Sequence, residues 1–134
     1  MTSYIDSSAL LKRYLQEPDS EYATSLIDAD DVLVTSWLTV VEVHRSLTML
    51  LKTPDLGKAK LVVTEDFDKM ALVLPDVATW LAAAEIGVAL KVRSLDAVHL
   101  ACAQRLRIPG IRFVTFDIRQ AIAARSLGFS VVGS

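Results

Sequence analysis

Four carboxylates in this chain have neighbours that demand an explanation: Asp6 in YIDSSAL, Glu42 in LTVVEVHRSL, Asp96 in RSLDAVHLACA and Asp117 in FVTFDIRQA. Wound as a helix, the segment around Glu42 is apolar nearly all round, and an unpaired carboxylate there is costly. An ion pair with Arg45, three residues on and on the same face, is one remedy. A metal in a shared crevice is the other. Asp96 follows Ser94 at a helix start, where free amides and the helix dipole favour a negative side chain. Asp6 and Asp117 also precede helical patterns, so each could be a cap and nothing more. As a set they have a further use, because a hard cation such as Mg²⁺ takes oxygen ligands, keeps several waters and is held by a few carboxylates. Carboxylates gathered that closely repel one another, so at least one should have a raised pKa.

The other candidate ligands read as structure. His44 and His99 lack zinc-type pairing; His99, three residues after Asp96, is placed to orient that carboxylate by a hydrogen bond. The lone Cys102 lies in the apolar run AVHLACA and reads as a small buried hydrophobe. Trp37, Trp80 and Phe67 recur at helical spacing with Leu and Val and read as core.

The net charge of −2 is unevenly spread. Residues 1–90 hold 14 acids and 7 Lys/Arg, whereas residues 91–134 hold 2 acids and 7 Lys/Arg. Those two acids are Asp96 and Asp117, which leaves Lys91, Arg93, Arg105, Arg107, Arg112, Arg119 and Arg125 without local acidic partners, as a side facing a polyanion requires. Solvated charges paired with acids from the other half are the alternative.

Elements must bring the four acids together. At 134 residues the chain fits a single domain, 1–134, that can bury a core without disulfides. No apolar run reaches bilayer length, and the start MTSYIDSSAL lacks the order of a secretory signal, so no membrane partner and a cytoplasmic location are expected. Strand-like runs at 3–5, 31–36, 71–74, 112–116 and 130–132 alternate with helical patterns near 8–15, 20–29, 37–51, 56–69, 77–90, 95–106 and 118–126, with Ser94 as a cap. That alternation predicts an α/β fold, a three-layer α/β/α sandwich on a short, mostly parallel sheet. In such sheets ligands bind beyond the carboxyl ends of the strands, where strand order reverses. Asp6 ends the first strand and Asp117 the fourth; if those strands are neighbours at the reversal, their carboxylates converge.

With these motifs in order, YIDSSALLKRY, VVEVHR, SLDAVHLACA and VTFDIR, nearly the whole chain resembles the PIN-domain ribonucleases, and its length and wording resemble the VapC-type toxins of toxin–antitoxin pairs. The resemblance implies a PIN-like fold and an endoribonuclease that hydrolyses RNA to 5′-phosphate and 3′-hydroxyl ends, with Mg²⁺ or Mn²⁺ as cofactor. Its acidic positions fall on Asp6, Glu42, Asp96 and Asp117. Asp6 and Asp96 are the foremost metal ligands and Asp117 the next, with Glu42 reaching the ion through a water or orienting the nucleophile. Ser7, Ser8 and Thr115 match the small hydroxyl residues the family often sets beside its first and last acids. The implied partners are an RNA substrate, a cognate antitoxin and a second copy in a homodimer, with the apolar helices at 37–51 and 56–69 available for contact. An RNA-processing nuclease that is not a toxin, or a non-catalytic scaffold, fits the same motifs. A phosphoacceptor signalling module does not, because it needs adjacent acids after the first strand, where this chain has Asp6-Ser7-Ser8.

Overall fold

The structure, a computed structural model, describes residues Met1–Ser134. In chain order it runs β1 (Thr2–Ile5), α1 (Ser7–Tyr14), α2 (Ser20–Asp28), β2 (Val32–Ser36), α3 (Trp37–Leu50), α4 (Asp55–Asp68), β3 (Ala71–Val73), α5 (Val77–Leu90), α6 (Ser94–Arg105), β4 (Arg112–Thr115), α7 (Ile118–Ser126) and β5 (Ser130–Gly133). The strands form one sheet in the order β3-β2-β1-β4-β5, and every pairing is parallel. Parallel neighbours need crossover connections, and the helices supply them. The sheet is therefore wholly parallel, where mostly parallel was expected.

Strand side chains alternate between two apolar layers, as the period of two dictates. Tyr4 and Phe113 point into a cluster with Ala83 and Ile86 of α5, Leu100 of α6 and Ala124 of α7. Their neighbours Ile5 and Val114 point the other way, onto Leu10 of α1, Ile27 of α2, Val43 and Leu47 of α3 and Phe67 of α4. Helices thus cover both faces, giving the three-layer sandwich. At the edge, Gly133 has φ of 107° and a Cβ there would collide with the carbonyl of Thr115, so glycine lets β5 close against the end of β4. No helix is long and apolar enough to cross a membrane.

Two expectations about side chains need correction. Trp37 and Trp80 are half exposed, and of the three aromatics only Phe67 is core. The buried stripe of α3 runs through Thr39, Val43 and Leu47, and that of α5 through Thr79, Ala83 and Ile86; both tryptophans fall off it. The N-cap of α6 is Arg93, with Ser94 the first helical residue and no side-chain cap bond. Among the late cations, Arg112 pairs with Asp30 at 2.9 Å and Arg105 approaches Asp76 at 3.8 Å, both acids of the other half as the alternative reading held, while Lys91, Arg107, Arg119 and Arg125 form no ion pair. Sequence distance hid the Arg112 pair, which the sheet brings together over 82 residues.

Candidate active site

β1 and β4 are direct neighbours, and strand order reverses between them. Asp6 follows β1 and its amide extends the ladder to the Val114 carbonyl at 3.1 Å. Its carboxylate is only 3% exposed and caps α1, accepting from the Ala9 amide at 3.2 Å. The hydroxyls of Ser8 and Thr115 donate to its two oxygens at 2.7 and 2.6 Å. Thr115 in turn accepts from the Asp117 amide at 3.1 Å, so one hydroxyl joins the two strand ends. Ser7 makes no side-chain hydrogen bond. Burial pushes the Asp6 carboxyl above the usual carboxylate range, opposed by His99, by Ser8 and Thr115 and by the Ala9 amide. A raised acid was expected, but from repulsion among carboxylates; the cause is desolvation instead.

Glu42 sits on α3 with its side chain 23% exposed, and it does not pair with Arg45. His99 reaches it across the crevice, Nε2 to Oε1, at 2.6 Å. The opposite ring nitrogen, Nδ1, lies 2.9 Å from the Tyr4 hydroxyl. Burial, with the charges near Cys102, Asp6 and Glu42, pushes the Tyr4 phenol well above its usual value, so it stays a donor. A phenol donating to Nδ1 leaves the hydrogen on Nε2 to point at Glu42. His99 therefore orients Glu42, where orientation of Asp96 was expected. Being 2% exposed, its ring lies between β1 and α3, while Asp96 in the first turn faces the outer lip. Tyr4 was not among the candidate residues, and no local spacing signals its bond to a histidine 95 residues away.

Asp96 and Asp117 form the outer half. Asp117 caps α7, its Oδ1 accepting from the amides of Arg119 and Gln120 at 2.9 and 3.1 Å. Arg93 spans both acids: Nε donates to Asp96 Oδ2 at 2.9 Å and a terminal nitrogen donates to Asp117 Oδ2 at 3.0 Å. Asp96 foremost, then Asp117 and Glu42, hold that guanidinium in its charged form. Buried Gln120 ties the two elements from below, donating to the Asp96 carbonyl at 3.0 Å.

Contacts thus link the four acids at the strand ends, Thr115 joining Asp6 to Asp117 and Arg93 joining Asp117 to Asp96 within reach of the Glu42 charge, but no three His, Cys, Asp or Glu side chains stand close enough to grip an ion as arranged here. Hydroxyls hold Asp6 in the sheet, His99 holds Glu42, and Arg93 holds the other two. Beside Asp96 a cavity of about 310 Å³ is lined by Lys91, Arg93 and Arg119. A larger one, about 760 Å³, lies at the far end of α1 by Arg13, Leu51 and Lys58 and includes none of the four acids. His44 stands near Phe67, outside the crevice. Cys102 is fully buried, and burial raises its thiol pKa, which keeps it unreactive.

Comparisons with known proteins agree with this fold. The chain is 32% identical over 129 residues to ribonuclease VapC46 of Mycobacterium tuberculosis, spanning 96% of this chain and 95% of the relative. Its fold superimposes on VapC20 of M. tuberculosis, a sarcin–ricin loop cleaving toxin, with a TM-score of 0.76 at 16% identity, covering 100% and 98% of the two chains. VapBC-5 of the same organism, from the VapBC family of toxin–antitoxin systems, superimposes with a TM-score of 0.64 at 21% identity over 97% and 94%. Residues 3–126 match the PIN domain, and with VapC46 alike over almost its full length, this chain belongs to the PIN-domain family, among its VapC-type ribonucleases.

Proposed function

We propose that the chain, read as one domain over 1–134, is a Mg²⁺- or Mn²⁺-dependent endoribonuclease and the toxin of a toxin–antitoxin pair, acting in the cytoplasm. The observation that supports the reading is the chain of contacts at the reversal of strand order, in which Thr115 joins Asp6 to Asp117, Arg93 joins Asp117 to Asp96, and the Glu42 charge acts on Arg93. The donor set fits a hard cation, because every candidate ligand is a carboxylate oxygen and a cationic group, the Arg93 guanidinium, already lies between two of them. When bound, such an ion lowers the pKa of water and withdraws charge from the phosphate.

Asp6, fixed by Ser8, Thr115 and the Ala9 amide, would supply the inner carboxylate for such an ion. Asp96 and Asp117 supply the outer oxygens. Glu42, aimed by His99 and Tyr4, orients the attacking water. Lys91 and Arg119 beside the crevice attract the RNA backbone. An antitoxin and a second copy of the chain are the proposed protein partners, consistent with the likeness to VapBC-5 of the toxin–antitoxin systems and with exposed Val41, Met49, Leu50 and Leu61 on α3 and α4.

The test is cleavage of a structured RNA by metal-stripped protein. We expect no products in EDTA and restored cutting with Mg²⁺ or Mn²⁺; full activity after rigorous metal removal would sink the mechanism. Coexpression with the protein encoded by the adjacent gene should suppress the activity if the chain is a toxin.

A further inference from the structure

The cation already inside the acidic crevice is a side chain. Arg93 is 69% exposed at its side chain, yet its guanidinium turns inward, with Nε on Asp96 and a terminal nitrogen on Asp117. The oxygens it takes matter. Asp117 Oδ1 is held by two backbone amides, and Arg93 occupies Oδ2, the oxygen those amides leave for a metal. It likewise takes Oδ2 of Asp96. A guanidinium and a divalent ion repel each other, and they compete for the same lone pairs. On its outer side Arg93 lines the cavity of about 310 Å³ with Lys91 and Arg119, where Asp96 is the sole acid. The planar fork that suits a carboxylate also suits a phosphate.

We propose that Arg93 is the resident counter-ion of Asp96 and Asp117, that a divalent cation enters by displacing it, and that the freed guanidinium turns outward to an RNA phosphate beside Lys91 and Arg119. This rests on the reading of the four acids as a cation site. The long, exposed side chain makes the turn without disturbing the core. The competition is reciprocal: whatever draws Arg93 off the carboxylates strengthens the cation's hold by the same factor.

The test is calorimetric titration of Mn²⁺ into metal-stripped full-length protein as wild type, Arg93→Gln, Arg119→Gln and Asp96→Asn. Arg93→Gln should bind Mn²⁺ about five- to tenfold more tightly than wild type. Arg119→Gln, which removes a charge that pairs with neither acid, should change affinity by less than about twofold because solvent screens it. Asp96→Asn should lose the binding. In EDTA, Arg93→Gln should melt below wild type, since two carboxylates lose their counter-ion, and saturating Mn²⁺ should close that gap. With Mn²⁺ saturating, its cleavage should show a KM raised about five- to tenfold and a salt slope flattened by about one phosphate contact. Unchanged or weaker Mn²⁺ binding by Arg93→Gln, with wild type binding and Asp96→Asn not, overturns the exchange and leaves the cation site standing. An unchanged KM overturns the outward turn. No binding by wild type overturns both this proposal and the metal reading beneath it.

Discussion

The two halves of the carboxylate crevice are built by opposite means. On the inner side Asp6 is 3% exposed, rooted at the end of β1, with both oxygens accepting from hydroxyls. On the outer side Asp96 and Asp117 are 20% and 27% exposed at their side chains and share a long, solvent-facing arginine. One half is rigid and strained by desolvation; the other is adjustable and charge-balanced. For the proposed cation, the fixed acid would set position and the arginine-paired rim would admit and release it. The contrast predicts that equivalent substitutions in the two halves will differ in kind.

The largest effect should fall on chemistry. Asp6→Asn and Asp96→Asn should each lower RNA cleavage on the order of a hundredfold to a thousandfold, measured as kcat/KM with saturating Mg²⁺. Either variant retaining more than half of wild-type activity would remove that residue from the site. Next in size is Tyr4→Phe, which strips the donor from His99 Nδ1 and frees the ring to lose its aim at Glu42. Outer partners of this sort are worth about ten- to a hundredfold in activity. Leaving a buried nitrogen unpaired should also cost about 1–3 kcal/mol in a denaturant melt. A stability loss with intact turnover would make the Tyr4–His99–Glu42 chain a packing device alone.

The halves should separate most cleanly in their pH dependence without metal. For Asp6, burial raises the folded pKa above the unfolded value of about 4. The sign follows: the ionised group carries no penalty below the unfolded value, and the penalty grows as pH rises through the folded one. Asp6→Asn removes that penalty, so its stability relative to wild type in EDTA should improve between about pH 4 and pH 7.5, by on the order of 1 kcal/mol. Asp117→Asn should behave otherwise, because its charge is answered by Arg93 and by the start of α7. At pH 7.5 it should lose about 0.5–1 kcal/mol. Thermal melts of the three proteins at both pH values decide this; a gain for Asp117→Asn at neutral pH would mean that repulsion among the acids dominates after all.

Much of this was legible in the residues. Each strand and helix lies within a residue or two of its expected place, because short β-branched runs alternate with helical periods and turn residues between them. Asp6, Asp96 and Asp117 stood out because each sits at a helix start, where chain order and sheet topology determine which ends meet, whereas Glu42 stood out as a carboxylate in the apolar interior of α3. What connects them was not. Arg112 with Asp30, Tyr4 with His99 and His99 with Glu42 are bonds over 82, 95 and 57 residues, and nothing in a local window encodes which partner a side chain finds across a sheet. Arg93 was legible as a cation, but its grip on Asp96 and Asp117 was not, since Asp117 is 24 residues away. The exposed tryptophans failed for a related reason: helical spacing says that residues share a stripe, and only packing says which stripe faces in.

The smallest expected effect tests the outer half at its margin. Arg119 shares the cavity beside Asp96 with Lys91 and Arg93, forms no ion pair, and gives its amide to Asp117. Because the amide belongs to the backbone, Arg119→Gln keeps the cap of α7 and removes only the charge. If that charge lies along the RNA backbone, binding should weaken a few-fold at low salt, and the slope of log affinity against log salt should flatten by about 0.7, the value for one contact to a single strand. Substrate sequence preference should not move, since phosphates carry no base identity. Arg107 is the matched control. It also forms no ion pair but borders a different cavity, by Phe129 and Gly110, so Arg107→Gln should leave both affinity and slope at wild-type values. Equal losses from the two substitutions would show that RNA responds to net charge alone. A loss confined to Arg119→Gln would place the strand along the same rim that Arg93 occupies.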